Sequence, residues 1–147
     1  MIFELGLIIC NVNNKELEDR LINFSIMVVE LIKSLPEDRI TNHLMGQLLR
    51  SATSPTLNYG EALGAESRKD FIPKLGIVLK ELRETLNCLK ILSGAGYIRS
   101  ENITVKECNE LVSIFVKSLE TAKRNTKSIK SKIQHQKSQI LNQVVLF

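Results

Sequence analysis

Tryptophan is absent from this chain, and aromatic residues make up only 5% of its 147 positions. Reading single-stranded nucleic acid by stacking needs several aromatic platforms, so recognition of that kind is disfavoured. Proline is scarce, with three residues, and Leu and Ile dominate the apolar set, which favours helix packed on helix over a sandwich of short, turn-rich strands. No apolar run approaches the roughly 20 residues of a membrane span, so no membrane partner is expected. A Gly-rich phosphate loop is missing as well. The three cysteines, Cys10, Cys88 and Cys108, show no CxxC spacing and have no histidine nearby. That excludes a zinc site or a disulfide framework and fits a reducing, cytoplasmic setting. His43 and His135 fall in different segments without a carboxylate at metal spacing, and the ExxH pairs of a di-metal bundle do not occur. Ser51 and Ser54 lack an evident base. No catalytic residue, metal or cofactor is expected, and the chain does not read as an enzyme.

Charge of one sign is missing from the end of the chain. The formal net charge is a mild +4, yet no acidic residue follows Glu120, while Lys123, Arg124, Lys127, Lys130, Lys132 and Lys137 do. Such a block attracts polyanions. Its bland alternative is a solvated helix face with a frayed basic tail. At the other end Met1–Cys10 is apolar. It holds Glu4, lacks a basic n-region, and runs into Asn11-Val12-Asn13-Asn14 rather than a small-residue cleavage site, so an arm is expected here and not a secretory signal. Three regions follow: an apolar arm over 1–13, a helical bundle over 14–130, and a basic then apolar tail over 131–147.

Within the bundle the apolar spacing predicts four helices. Asn13 or Asn14 caps the first, and Leu17, Leu21, Phe24, Val28, Leu31 and Leu35 recur at steps of four and three, a heptad seam. A second row, Ile22, Ile26, Val29 and Ile32, flanks it, giving more apolar surface than one neighbour covers. Pro36 ends this helix. The second starts near Asp38 or Thr41, with Ile40, Leu44, Leu48 and Leu49 as its apolar side. It continues with a kink through Pro55 to Gly64. Ser67 caps the third helix, whose seam is Phe71, Leu75, Val78, Leu82, Thr85, Leu89 and Leu92, with Ile72, Leu79 and Leu86 beside it. Cys88 reads as a buried small hydrophobe, and Gly94 and Gly96 supply the stop. Thr104-Val105-Lys106-Glu107 has the form of a capping box for the fourth. Its seam is Cys108, Val112, Phe115, Leu119 and Ala122, fading through Thr126, Ile129 and Ile133. Four long helices with short joints predict an all-α, antiparallel up-down-up-down bundle.

One stretch departs from the leucine pattern. Gln47, Arg50, Ser54, Asn58 and Glu61 share a polar stripe on the second helix. Structurally, a partly buried Arg50 needs carboxylates, and Glu61 on its own helix or Glu81 and Glu84 on the third can supply them. Functionally, the stripe is a polar groove for a ligand or a phosphate backbone. Both readings stand at this point.

The run Gln47-Leu48-Leu49-Arg50-Ser51-Ala52-Thr53-Ser54-Pro55-Thr56-Leu57-Asn58-Tyr59-Gly60-Glu61-Ala62 resembles the hallmark of the "four helix bundle protein" family encoded in bacterial 23S rRNA intervening sequences. Arg68-Lys69-Asp70-Phe71 with Leu75, then Leu79-Lys80-Glu81-Leu82-Arg83-Glu84-Thr85, is similar to that family's second block. The likeness covers about residues 15–125. Tyr59-Gly60 stands where many relatives carry Ile-Ala. The resemblance implies an antiparallel four-helix bundle that assembles into a ring, typically a homopentamer. In some relatives it implies a basic surface that binds nucleic acid and a reverse transcriptase.

These readings lead to a non-enzymatic oligomeric helical scaffold that binds nucleic acid, RNA before DNA, through basic surface residues. The alternative is a protein–protein adaptor without nucleic-acid affinity.

Overall fold

Asn13 opens the first helix by accepting the Glu16 N–H on its side chain at 2.7 Å. The computed structural model describes residues 13–145, and among these there are four helices and no strand: α1 (Asn14–Ser34), α2 (Arg39–Leu63), α3 (Arg68–Gly94) and α4 (Ile103–Val145). The apolar arm with Cys10, up to residue 12, and residues 146–147 lie outside the described residues. Short joints over 35–38, 64–67 and 95–102 turn each helix back along its predecessor. α2 packs most extensively on α3, and the bundle closes where α1 meets α4, a thinner seam than those between helices consecutive in the chain.

The heptad seams of α1 and α3 are the core. Leu17, Leu21, Phe24 and Val28 are fully buried, as are Val78, Leu82, Leu89 and Leu92. Each such side chain stabilises the fold by roughly 1.5–3 kcal/mol relative to exposure. Cys88 and Cys108 are buried free thiols. The second row of α1 is not covered: Ile22 and Ile26 are exposed, and Val29 and Ile32 are half-buried.

α2 buries only part of the side its leucines suggest. Ile40 and Leu49 are exposed and Leu44 is half-buried, whereas Thr41, Leu48, Ser51, Ala52, Pro55, Tyr59 and Ala62 point inward. These positions follow steps of three and four, but small and polar residues fill most of them. Small side chains let α2 approach its neighbours closely, and Tyr59 fills the centre. Its ring meets Phe115 of α4 edge-to-face at 5.5 Å, and its hydroxyl donates to Asn14 Oδ1 at 3.4 Å. The helix runs unbroken through Pro55. Proline removes the donor for the Ser51 carbonyl. One residue on, the Ala52 carbonyl accepts from Ser25 Oγ of α1 at 3.0 Å, and the same hydroxyl lies 2.9 Å from Thr56 Oγ1.

Caps and joints fix the register. Asp38 caps α2 by accepting the Ile40 and Thr41 N–H groups, each at 2.8 Å, while Thr41 Oγ1 accepts the Asp38 N–H. Tyr97 donates to the same carboxylate at 2.8 Å, tying the α3–α4 joint to the start of α2. The Thr41 amide first, and then the Tyr97 hydroxyl, hold the Asp38 carboxyl below its ordinary range. Ser67 caps α3. Gly96, at φ +82°, lets the Tyr97 N–H reach back to the Leu92 carbonyl at 2.9 Å, a backbone conformation side-chain-bearing residues rarely adopt.

The capping box expected at Thr104–Glu107 does not form. α4 begins at Ile103, two residues before the start that Thr104 as N-cap would set, and Asn102 Oδ1 accepts the Thr104 N–H at 2.9 Å. Thr104 is buried, and Glu107 is drawn away to Arg20 of α1. Along α4 the fully buried residues are Cys108, Leu111 and Phe115, while Val112 and Leu119 are only half-buried, so the seam sits one residue ahead of the expected one in two of its layers.

Candidate nucleic-acid interface

α4 is 43 residues long, and its last buried position among the described side chains is Ala122. At 1.5 Å per residue, residues 123–145 carry the helix about 34 Å past that point. From Lys127 to Gln143 every side chain is exposed. This overhang holds all six of the basic residues singled out from the sequence. Lys123, Arg124, Lys127, Lys130, Lys132 and Lys137 are exposed, and among the described residues no carboxylate pairs with any of them. A lone helix presenting cations and no anions attracts phosphates from every side.

The six do not form a single face. Lys123, Lys130 and Lys137 repeat every seven residues and line one flank of an apolar stripe made by Thr126, Ile129, Ile133 and Ile140. Lys132 lies on the other flank, and Arg124 and Lys127 point away from the stripe. The isoleucines are 44–60% exposed. They continue the bundle's α4 seam in helical phase, but among the described residues nothing covers them.

The polar stripe of α2 resolves into separate local contacts. Arg50 donates through Nη1 to Glu81 Oε2 at 3.3 Å and through Nη2 to Glu84 of α3. Its side chain is 58% exposed, so the guanidinium lies over the α2–α3 seam, largely in water. Glu61 is not its partner. That carboxylate pairs with Lys74 of α3. Asn58 Nδ2 donates to the Ser54 carbonyl and hydroxyl, both at 3.0 Å, and Gln47 is exposed. The stripe thus makes two clasps from α2 to α3 and one contact within α2.

Two polar clusters escape sequence reasoning. Arg20 of α1 reaches Glu107 and Glu110 of α4. Inside the core, Thr85 donates to Ser51 Oγ at 2.9 Å while lying 3.0 Å from the Glu81 carbonyl. The only sequence signal for the first is an ExxE pair on one helix and a lone cation on another, 87 residues apart. Among the described residues no three His, Cys, Asp or Glu side chains are grouped to hold a metal, and no helix is long and apolar enough to cross a membrane.

Residues 15–117 match the sequence model of a family described as 23S rRNA-intervening sequence protein. The chain belongs to this family. A solved relative, a protein of unknown function from the S23 ribosomal protein family of Bacteroides thetaiotaomicron, is 33% identical, with a TM-score of 0.65. The match covers 70% of this chain and 97% of that one. No curated protein matches. The family match ends within the bundle, five residues before Ala122, so the overhang lies wholly outside it.

Proposed function

We propose that this family member is a non-enzymatic, self-associating helical scaffold that binds nucleic acid, RNA before DNA, through the basic overhang of α4. The observation that carries the reading is a helix extending past its own core with six exposed cations and no acidic residue beyond Glu120. The family's name, with its rRNA-intervening sequence, and the relative's place in a ribosomal protein family favour RNA as the polyanion. Few aromatics are available for stacking, so the expected contacts are to phosphates and carry little sequence preference.

The test is a titration of nuclease-treated protein with a single-stranded RNA at several salt concentrations. Neutralising Z phosphates on a single strand gives a slope of log affinity against log salt of about −0.7Z, so four to six contacts predict roughly −3 to −4. Replacing Lys127, Lys130, Lys132 and Lys137 by Gln should flatten that slope and leave the circular dichroism of the bundle unchanged. Binding that ignores both salt and these substitutions would end the proposal.

A second reading, a protein–protein adaptor without nucleic-acid affinity, draws on the uncovered isoleucines along the same overhang. Capture of a protein partner that survives nuclease, with no RNA retardation, favours it.

A further inference from the structure

We propose that the α4 overhang of one copy docks along the outer face of α1 in a second copy of this chain. The inference rests on the self-association in the reading above and is independent of its nucleic-acid part.

Among the described residues two helix faces have no partner, and they match. On the overhang, Ala122, Thr126, Ile129, Ile133, Gln136 and Ile140 follow steps of four and three without a break, the spacing of a coiled-coil seam. On α1, Asp19, Ile22, Ile26, Val29 and Lys33 do the same on the side turned away from the core. Ile129, Ile133 and Ile140 are 44%, 47% and 60% exposed, and Ile22 and Ile26 are 42% and 54%. A groove of about 430 Å³ runs beside the α1 stripe, with Ser25 at its floor and Thr53 and Leu57 of α2 as its far wall. The faces also agree in length. The overhang is about 34 Å long, and the 21 residues of α1 span about 31 Å.

Charge selects the pairing. Lys123, Lys130 and Lys137 occupy three successive flanking positions on one side of the overhang seam, with Lys132 on the other. Two overhangs packed seam to seam would set lysines against lysines, so like charge opposes that arrangement. The α1 face is bordered instead by Glu16, Glu18 and Glu30, with Asp19 in the stripe itself. Lys33 and Lys15 make only exposed contacts within α1, to Glu30 and Asp19. An acidic, apolar stripe on one copy thus fits a basic, apolar stripe on another.

The chain cannot satisfy this fit within itself. α4 runs antiparallel to α1, as Arg20 facing Glu107 and Asn14 lying near Tyr59 over Phe115 require. The straight overhang therefore leaves the bundle beyond the start of α1 and cannot fold back along it. Each copy offers one overhang and one acceptor face, a head-to-tail contact, which gives a ring where the rotation closes and a filament where it does not. Outward-pointing Arg124 and Lys127 stay free for other ligands.

The test uses two variants of the full chain, both nuclease-treated and free of nucleic acid. One carries Lys130→Glu and Lys137→Glu, the other Glu18→Lys and Glu30→Lys. All four side chains lie on the surface of formed helices, and circular dichroism checks that the fold is kept. The unaltered chain should sediment at a multiple of 16.6 kDa. Each variant alone should lose self-affinity at least tenfold, and an equimolar mixture should assemble again, because each variant's altered face meets an opposite charge on the other. A monomeric unaltered chain overturns the proposal. So does assembly that persists in both variants, a mixture that stays monomeric, or assembly lost on deleting residues 1–12, which would make the arm the occupant. RNA affinity is read separately by the salt titration, so loss of either proposal leaves the other distinguishable.

Discussion

Arg20 grips Glu107 at two points: Nε donates to Oε1 at 2.6 Å and Nη2 to Oε2 at 3.0 Å. Nη2 also reaches Glu110. The hydrogen bond it donates to Glu107, the strongest influence on this guanidinium, raises its pKa against the opposing effect of burial. This clasp lies on the α1–α4 seam, a much thinner contact than α1–α2, α2–α3 or α3–α4. The side chains are 30% and 20% exposed, between a surface pair and a buried one. Arg20→Met should therefore cost about 2 kcal/mol, above the ~0–1 of exposed pairs and below the ~3–5 of breaking a buried one. Adding Glu107→Gln should cost less than the sum of the two single changes. Urea melts of the three variants measure both quantities, and additivity would mean that the clasp contributes packing alone.

Arg50 gives a contrasting expectation. Because its guanidinium is 58% exposed, Arg50→Met should cost only about 1 kcal/mol, most of it from leaving the buried Glu81 carboxylate without its cation. Arg50 and Glu81 should couple in a double-mutant cycle, whereas Arg50 and Glu61 should be additive within about 0.5 kcal/mol, since Glu61 belongs to Lys74. A strong Arg50–Glu61 coupling would contradict the separation of the two clasps.

How much of this was legible follows from how each seam is built. The α1 and α3 seams are made almost wholly of Leu, Val and Phe at heptad spacing, so periodicity alone locates them. The α2 seam is not apolar in composition. Thr41, Ser51, Ala52 and Pro55 face inward because small side chains suit close helix approach, while Ile40 and Leu49, two of the four residues a hydrophobic pattern selects, face out and Leu48 alone of the four is fully buried. Glu107 matched a local capping rule but answers to a cation on another helix, a tertiary contact that no local motif encodes. In the candidate interface the basic residues could be read directly from charge. Their partition around an apolar seam depends on α4 staying helical to Val145, and no break signal in the sequence opposes that.

Cys108 should make the protein sensitive to alkali. Burial pushes its thiol up to about 12, and the nearby Glu107 adds to the rise. A folded-state pKa above the unfolded value means that the stabilising contribution is complete below about 9 and is lost as pH climbs toward 12. The full loss from this group is on the order of 4 kcal/mol. Cys108→Ala lacks the group, so it should be the less stable protein near pH 7, and its deficit should shrink steadily above pH 9. A constant difference between the two proteins across that range would show that the thiolate is accommodated in the core.

Removing the overhang should leave the bundle intact. The last buried side chain of α4 is Ala122, and everything from Lys127 to Gln143 is exposed. Among the described side chains, a chain ending at Lys127 therefore gives up no core contact. Its denaturation midpoint, measured at a concentration too low for self-association, should match that of the full chain within about 0.5 kcal/mol. Helical circular dichroism should fall by the contribution of residues 128–145, and no more. An isolated helix of this length is marginal in water, so its helicity in the full chain should itself rise with protein concentration if a second copy covers the isoleucines. A bundle that melts several kcal/mol earlier after truncation would show that the overhang packs on its own chain, and would remove the free surface on which both proposals depend.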